Sequence, residues 1–452
     1  MPGDTLSDVA FLYRRAGFGL RPDELERAAA GGYDSAVESL LAGLGDAPDP
    51  GAAGLAEPTF TSGPPPRGAG ASQAERAAFA KAVRSDVVGL QRWWMNRMIT
   101  TSTPLREKLT LFWHGHFATG VSKVRDARLM YMQNQLFRSA GAGSFEALTQ
   151  AVAKDGAMMI WLDTSTDKKA RPNENFAREM MELFTLGIGN YTQDDVTAAA
   201  RGFTGWTYDR SRYEYVFRPA QHDYGFKTYL GETGDWNGED IVRIAVTRPE
   251  SARFVVAALW SHLAYPVAPS DPVVSDILPG YGESLSIAGA VRSVFLHPEF
   301  RSTQSRTGLL KQPAEYLASA ARALGLDASL ASSASGDQRP GPRSAPDLPA
   351  LAGALGQTLF NPPNVGGWGQ NGYWLSTATA HVRMQAAMLL ARKADLSGLS
   401  SLPVRQRVAA AGELLGLVDG WGPSTAAALS RVAADPVALL ALALVSPEFV
   451  LA

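Results

Sequence analysis

The chain has 452 residues, of which 46% are hydrophobic and 19% are charged, so it can bury a sizeable core and has an ordinary globular composition. Its formal net charge is −2 and its pI is about 6.3, which excludes the strongly basic surface that nucleic-acid binding requires. Cysteine is absent, which excludes disulfides, thiolate metal sites and a cysteine nucleophile.

The N-terminal sequence, MPGDTLSDVAFLYRRAGFG, has no basic segment followed by a long apolar stretch. It therefore predicts no secretory signal. The most apolar run, at residues 437–445, is too short to cross a bilayer core of about 30 Å. We expect a cytoplasmic protein without a membrane span.

Two stretches rich in Pro, Gly, Ser and Ala interrupt the chain, at residues 45–75 and 326–346. Their composition cannot bury enough apolar area to offset chain entropy, so we expect disordered-looking loops there. They separate an N-terminal helical segment (1–44), a central helical block (76–325) and a C-terminal helical block (347–452), which we expect to pack on the same core.

Most of the remainder has the apolar spacing and the start signals of α-helices. Strand signals are few: the sequence RYEYVFR at 212–218 alternates, and we expect it to pair with residues 227–230 as a small β-hairpin. The predicted fold class is mainly α. The predicted helices cover residues 76–99, 104–113, 126–138, 173–186, 193–203, 249–263, 313–324 and 380–393.

Two of the six histidines lie close together in the segment WHGHF, at residues 113–117. Imidazole nitrogen is a common ligand of iron, zinc, copper and nickel. Residues two apart diverge on a helix but point the same way in an extended segment. We therefore expect the helix to end at Trp113, with Gly115 breaking it, so that His114 and His116 reach one metal ion. The alternative is a pair of hydrogen-bonded core histidines.

The predicted helix at 173–186 is acidic on one side. Glu179 and Glu182, three residues apart, are neighbours that could hold a metal ion together, whereas Glu174 needs a distorted helix start to join them. Arg178 would orient a carboxylate or bind an anionic substrate. The alternative is a solvated ladder of ion pairs with little effect on stability.

Three further features lie in loops or on an apolar helix. His222 and Asp223 follow the predicted hairpin, and we expect His222 to join the metal ligands and Asp223 to support it. Ordinary turn chemistry is the alternative for this pair. His262 lies on an apolar helix and is predicted to be a core residue. The turn-rich loop at 361–369 either lines a pocket or wraps the core, and its pattern favours the wrap.

Several segments occur together in a characteristic order: YRRAGFG (13–19), LREK (105–108), WHGHF (113–117), NENFARE (173–179), LG (186–187), FTGW (203–206), HD (222–223) and NPPNVGGW (361–368). Through these segments the chain resembles the bacterial domain-of-unknown-function 1800 family. The resemblance extends from about Leu12 to the C-terminus. It implies one large multi-helical domain with the low-complexity stretches as insertions. It also implies a partner, because proteins of this family are often encoded beside a sulfatase-like protein. Some members carry export signals, which this sequence does not show.

The residue chemistry predicts a metal-dependent enzyme, with an oxidoreductase that uses iron or manganese as the leading hypothesis, because histidines and carboxylates on helices suit these metals. Zinc in the same site would activate water, so a metal-dependent hydrolase is the alternative. A non-catalytic scaffold for a partner enzyme is the third hypothesis. We expect a small-molecule or peptide substrate and a sulfatase-like partner protein. The predicted ligands are His114, His116, His222 and one or two of Glu174, Glu179 and Glu182, assisted by Arg178 and Asp223.

Overall fold

A computed structural model describes residues 2–63, 65, 71–330 and 346–451 of the chain. The described residues are mainly α-helical, and their β-structure is confined to two short hairpins. The prediction of a mainly α fold is confirmed. Most of the predicted loop at 326–346 lies outside the described residues.

Among the first eight helices, those at Gln73–Thr100, Pro104–His116 and Ala127–Ala140 correspond to the predicted helices at 76–99, 104–113 and 126–138. Ser72 accepts a hydrogen bond from the Glu75 amide and so caps the longest of them, α4. Asp126 caps α7 in the same way. The helices are α1 (Pro2–Arg15), α2 (Pro22–Ala29), α3 (Tyr33–Ala42), α4 (Gln73–Thr100), α5 (Pro104–His116), α6 (Val121–Val124), α7 (Ala127–Ala140) and α8 (Phe145–Ala153).

The next section of the chain contains the acidic helix and both hairpins. The predicted helix at 173–186 is present, but its second half is a π-helix, Met180–Thr185, which directly follows α10. The elements are α9 (Gly156–Trp161), α10 (Glu174–Glu179), α11 (Gln193–Phe203), β1 (Trp206–Asp209), β2 (Glu214–Phe217), β3 (Lys227–Tyr229) and β4 (Glu232–Gly234), with short 3₁₀ turns at Thr164–Thr166 and Pro219–Gln221.

The predicted strand pairing is wrong, although both strands exist. Strand β2 pairs with β1, in the register Trp206 to Phe217, and β3 pairs with β4. The reason is local. Leu230 and Gly231 both adopt positive φ, 49° and 83°, so they form a tight two-residue turn that joins β3 to the residues immediately after it.

The remaining helices complete the central block and form the C-terminal block. Proline stands at the start of many of them, where its missing amide hydrogen costs nothing. They are α12 (Gly238–Val246), α13 (Pro249–Leu263), α14 (Pro272–Tyr281), α15 (Ile287–Leu296), α16 (Thr303–Thr307), α17 (Pro313–Leu324), α18 (Leu348–Ala354), α19 (Thr377–Lys393), α20 (Ser397–Ser401), α21 (Val404–Leu414), α22 (Pro423–Val432), α23 (Pro436–Leu444) and α24 (Pro447–Val450), with 3₁₀ turns at Pro50–Ala52, Pro298–Arg301 and Asn371–Trp374.

Buried apolar side chains form two hydrophobic cores, and α5 lies between them. Leu105, Leu109 and Phe112 belong to the first core, whereas Leu111 belongs to the second, which also holds most of the C-terminal helices. Because α5 is covered on all sides, its charged residues at 106–108 are buried as well. No helix within the described ranges is both long and apolar enough to cross a membrane.

The described part of the first low-complexity stretch is an irregular loop that side-chain hydrogen bonds fix to the helices. Asp86 of α4 accepts hydrogen bonds from the backbone amides of Thr61 and Ser62, at 3.0 and 2.8 Å from its Oδ2. Asp49 accepts one from the Ser102 amide at 2.8 Å. The loop therefore packs as an insertion on the helical body.

Asp167 is a buried carboxylate at the start of the acidic helix, and we expect it to make stability depend on pH. Its Oδ1 accepts a hydrogen bond from the Asn173 amide at 2.9 Å, while Oδ2 has no partner among the described residues. Burial raises the pKa of Asp167 to about 7, against the lowering effect of backbone hydrogen bonds. A carboxyl group whose pKa is raised in the folded state favours folding at low pH. This contribution to stability is complete below the pKa of the unfolded state and is lost as pH rises through about 7.

Asp167→Asn is therefore expected to gain stability relative to the wild type as pH rises, by up to about 4 kcal/mol between acidic and mildly alkaline pH, because each pH unit between the ordinary Asp pKa and about 7 corresponds to roughly 1.4 kcal/mol. Urea denaturation over a pH series measures this difference. Asp194→Asn, at an exposed position of α11, is the matched control and should leave the pH profile unchanged. A parallel pH dependence in Asp167→Asn and the wild type would contradict the prediction.

Candidate functional site

The two histidines of the WHGHF segment lie in the last turn of α5, which continues through His116. The prediction that the helix ends at Trp113 is therefore wrong, and so is the assignment of Gly115 as a helix breaker. Because the helix continues, the two rings diverge. Asn134 Nδ2 donates to His114 Nε2 at 3.0 Å, and His116 Nε2 lies 2.8 Å from the carbonyl oxygen of Phe184.

His114 is a core residue with only 1% of its surface exposed. Its ring packs against Trp94, Phe137 and Phe360, with centroid distances of 4.6, 4.9 and 5.2 Å. Burial, aided by the positive charge of Arg138, lowers the pKa of His114 to about 3. The ring is therefore neutral at physiological pH, and the interpretation as a hydrogen-bonded core histidine fits it.

His116 is held by the π-helix. In this segment the backbone bonds shift to i−5, as in the bond from the Leu186 amide to the Met181 carbonyl oxygen at 2.9 Å. The Phe184 carbonyl oxygen can only accept a hydrogen bond, so His116 Nε2 carries the proton and donates it. Burial lowers the pKa of His116 to about 4, although this hydrogen bond acts in the opposite direction. π-Helical turns are frequent at functional sites, and this one fixes a neutral imidazole.

Two of the three predicted acidic ligands have partners of their own, and the third, Glu179, lies near Glu182. Glu174 accepts hydrogen bonds from Arg178 and Gln193 at 3.2 and 2.9 Å, as in a solvated ladder. Glu182 accepts one from the Tyr191 hydroxyl at 2.6 Å. Burial and the neighbouring Glu182 raise the pKa of Glu179.

The side chains of the predicted pair, His222 and Asp223, also bind to different partners. His222 Nδ1 lies 2.8 Å from the Thr204 carbonyl oxygen, whereas Asp223 accepts a hydrogen bond from Arg201 Nε at 2.7 Å. This bond with Arg201 lowers the pKa of Asp223 to about 2. Within the described part of the chain, no group of three or more His, Asp or Glu residues is placed to hold a metal ion. The structure does not bring the predicted ligands together.

A cleft lies beside His116, and we call it the aromatic cleft. Its volume is about 260 Å³. Helix α5 supplies one wall, α13 the second and the loop before Gln370 the third. Its lining residues are Leu111, Phe112, Gly115, His116, Leu183, Phe254, Ala258, His262, Gln312, Gly366, Trp368 and Gln370.

A much smaller cavity adjoins it, and we call this the polar chamber. Its volume is about 20 Å³, which exceeds the roughly 10–15 Å³ needed for one water molecule. It shares His262, Gln312 and Gln370 with the aromatic cleft, so the two spaces are neighbours. Its other lining residues are Arg15, Lys108, Ser261, Leu309, Leu310, Glu315 and Asn371.

A buried ion pair forms one side of the polar chamber. Lys108 Nζ contacts Glu315 Oε1, and the two side chains are only 3% and 6% exposed. The backbone amide of Gln312 donates to Glu315 Oε2 at 3.0 Å. Burial acts to raise the pKa of Glu315, but Lys108 and the hydrogen bonds outweigh it and lower that pKa. Burial also lowers the pKa of Lys108, which Glu315 opposes. Because the ammonium group and the carboxylate contact each other, the pair adds no net charge to the chamber.

Two further side chains of the chamber have unpartnered nitrogen atoms among the described residues: His262 Nε2, and Nε and Nη1 of Arg15. Arg15 Nη2 donates to the Ser305 carbonyl oxygen. Burial lowers the pKa of Arg15 to about 9, and the guanidinium keeps its proton at neutral pH. Burial, followed by the charge of Lys108, lowers the pKa of His262 to about 3. With His262 neutral, Arg15, Lys108 and Glu315 give the chamber a net charge of +1.

The chain matches, over residues 11–451, the model of a family described as "Protein of unknown function (DUF1800)". The chain belongs to this family. The resemblance seen in the sequence is thereby confirmed over nearly the whole chain. No curated protein and no solved structure matches the chain.

Four of the segments through which the chain resembles the DUF1800 family meet at this site. YRRAGFG supplies Arg15, LREK supplies Lys108, WHGHF supplies Gly115 and His116, and NPPNVGGW supplies Gly366 and Trp368. Segments far apart in sequence thus line one pair of cavities. The loop at 361–369, predicted to wrap the core, also lines the cleft.

Sequence reasoning missed the residues of the polar chamber. Arg15 and Lys108 lie in segments of the family resemblance for which the sequence predicts no role, Glu315 lies on a predicted helix without a chemical motif, and the pattern around His262 predicts only a core residue. His262 is indeed buried, with 6% of its surface exposed, but it also lines both cavities. The available signal was a charged residue on an apolar helix, as with Lys108 between Leu105 and Leu109, because such a charge is seldom buried without a partner.

Proposed function

We propose that the aromatic cleft and the polar chamber form one site that binds a small organic anion, and that His262 exchanges a proton with this ligand. The observation that carries the proposal is a set of three nitrogen atoms, on Arg15 and His262, that have no partner among the described residues and belong to side chains lining the polar chamber. Buried polar groups without partners are rare in proteins, and an anionic ligand would supply acceptors to the two Arg15 donors.

The charge of the chamber supports an anion over a cation. Lys108 forms an ion pair with Glu315, whereas Arg15 forms no ion pair among the described residues and feels the Glu315 charge only at longer range. Placing a negative group beside Arg15 removes the uncompensated buried charge, and a positive group would add to it. Perturbed titratable groups beside a concave cleft are typical of ligand sites.

The groups around His262 explain why it would take up a proton when the anion binds. Lys108 of α5 and Arg15 of α1 disfavour the imidazolium form, Glu315 of α17 favours it, and the Phe112 ring lies 5.1 Å away, centroid to centroid. A bound anion adds one more negative charge at this position. It therefore raises the pKa of His262, and binding is coupled to proton uptake.

Acetate is the probe that tests the proposal. We expect acetate to raise the melting temperature of the wild-type protein, and its affinity to increase about threefold from about pH 8 to about pH 5.5. His262→Gln should bind acetate without this pH dependence. Calorimetry in buffers of different ionisation enthalpy should detect proton uptake by the wild type alone.

The control is Arg14→Gln, because Arg14 is the neighbour of Arg15 on α1 but bonds to the Gly416 carbonyl oxygen outside both cavities. Arg15→Gln should abolish acetate binding while Arg14→Gln retains it, and Arg15→Lys should keep part of it if the glutamine variant does not fold. Absence of acetate binding by the wild type, or equal binding by Arg15→Gln and the wild type, would overturn the proposal.

The metal-dependent oxidoreductase with iron or manganese stays a prediction, as do the zinc hydrolase and the scaffold for a sulfatase-like partner. One observation favours a metal: His116 donates Nε2–H to a backbone carbonyl, an orientation typical of metal-bound histidines, and its Nδ1 has the lone pair. The described residues do not add a second and third ligand beside it. Elemental analysis of wild-type and His116→Ala protein after metal-replete expression tests this. Stoichiometric metal lost only from the variant would favour it over the anion site.

A further inference from the structure

We infer that the anion is an arylcarboxylate, with its carboxylate in the polar chamber and its ring in the aromatic cleft. This inference rests on the proposed function, because it names the ligand class of the same site. Three features carry it: the unequal sizes of the two cavities, the chemistry of the cleft walls, and the indole nitrogen of Trp368 in the cleft.

The sizes separate a small head group from a larger body. The chamber, at about 20 Å³, has room for one or two water-sized groups, which suits the two oxygens of a planar carboxylate better than a tetrahedral phosphate or a sugar ring. The cleft, at about 260 Å³, is more than ten times larger and can hold a ring. A ligand that uses both spaces therefore has a small charged end and a bulkier body.

The walls of the cleft select an uncharged, flat body. No Asp, Glu, Lys or Arg is among the described residues that line it, whereas Phe112, Phe254, Trp368 and the His116 ring all do. The His116 ring stacks on Phe112 at 5.7 Å between centroids and lies 6.1 Å from Phe254. Aromatic side chains of this kind bind an aromatic ring more favourably than an aliphatic group, because the rings can pack offset or edge to face.

Polar atoms at the rim of the cleft add a second recognition element. Trp368 is buried, and its Nε1 has no acceptor within the described chain. The side chain of Gln370 is exposed beside it in the same wall. A hydroxyl or carbonyl substituent on the ring could accept a hydrogen bond from the indole N–H. An aliphatic chain could not accept this hydrogen bond.

Four matched probes test the ligand class in the wild-type protein by calorimetry: benzoate, benzamide, cyclohexanecarboxylate and acetate. Benzoate should bind at least about tenfold more tightly than acetate, because it adds the ring contacts. Benzamide has the same shape without the charge and should bind at least about tenfold more weakly than benzoate. Cyclohexanecarboxylate should fall between benzoate and acetate.

Ala258→Phe separates the two parts of the site, because Ala258 lines the cleft and not the chamber. The variant should lose the advantage of benzoate over acetate, and its circular dichroism spectrum and melting temperature report that it is folded. If acetate binds to the wild type but benzoate binds no more tightly, the inference fails and the proposed function stands. If cyclohexanecarboxylate equals benzoate, the assignment to an aryl group is overturned. If none of the anions binds, the proposed function itself fails.

Discussion

Gly367→Ala is expected to destabilise the protein by about 3 kcal/mol, whereas Gly115→Ala is expected to be neutral or slightly stabilising. The two glycines face each other where the loop before Trp368 packs on the end of α5. A Cβ atom on Gly367 would lie 2.0 Å from the Gly115 carbonyl oxygen, and Gly367 has a φ of +81°. Neither the contact nor the backbone conformation can accommodate a side chain without moving the loop.

A Cβ atom on Gly115 would meet only Trp368 Cε3, at 3.8 Å, which is an ordinary contact. Because Gly115 lies inside a helix, alanine there removes a backbone-entropy cost of roughly 0.5–1 kcal/mol. Urea denaturation of both variants measures the contrast. Gly367→Ala should also lose benzoate binding, since Gly366 and Trp368 form one wall of the cleft. Equal stability of the two variants would show that the loop can move away from α5 at little cost.

The sequence predicted the helices well because local signals determine them. The predicted helices at 193–203, 249–263 and 313–324 coincide with α11, α13 and α17, each of which has a proline or a capping box at its start. Helix-start chemistry depends on residues a few positions apart. The end of α5 was mispredicted because Gly115 is a weak stop signal, and burial of the helix between two cores outweighs its intrinsic preference.

The site could be predicted only in part, since its residues converge through tertiary packing. The WHGHF segment was singled out for its histidines, and His116 does line the cleft. Its partners come from α1, α13, α17 and the loop at 361–369, which the spacing of residues in one sequence does not relate. His262 shows the limit most clearly, because its pattern on an apolar helix describes a core residue equally well whether or not a cavity lies beside it.

Lys108→Met is also expected to have a large effect: it should lower the free energy of unfolding by about 3–5 kcal/mol at neutral pH. Removing Lys108 leaves the carboxylate of Glu315, a residue only 4% exposed, without its ion-pair partner. The double variant Lys108→Met, Glu315→Leu replaces both charges by apolar groups of similar volume. It should recover most of the loss, because no unpaired charge remains from the pair.

The pH dependence distinguishes this mechanism from simple loss of packing. In the wild type the pKa of Glu315 is lowered in the folded state, so its contribution is present above the unfolded-state pKa and is lost as pH falls through the folded value. Without Lys108, burial raises the pKa of Glu315 instead. The deficit of Lys108→Met should therefore shrink as pH falls towards about 4, where Glu315 becomes protonated. A deficit independent of pH, or a double variant as unstable as the single one, would mean that packing of the lysine stem and not its charge supports the chamber.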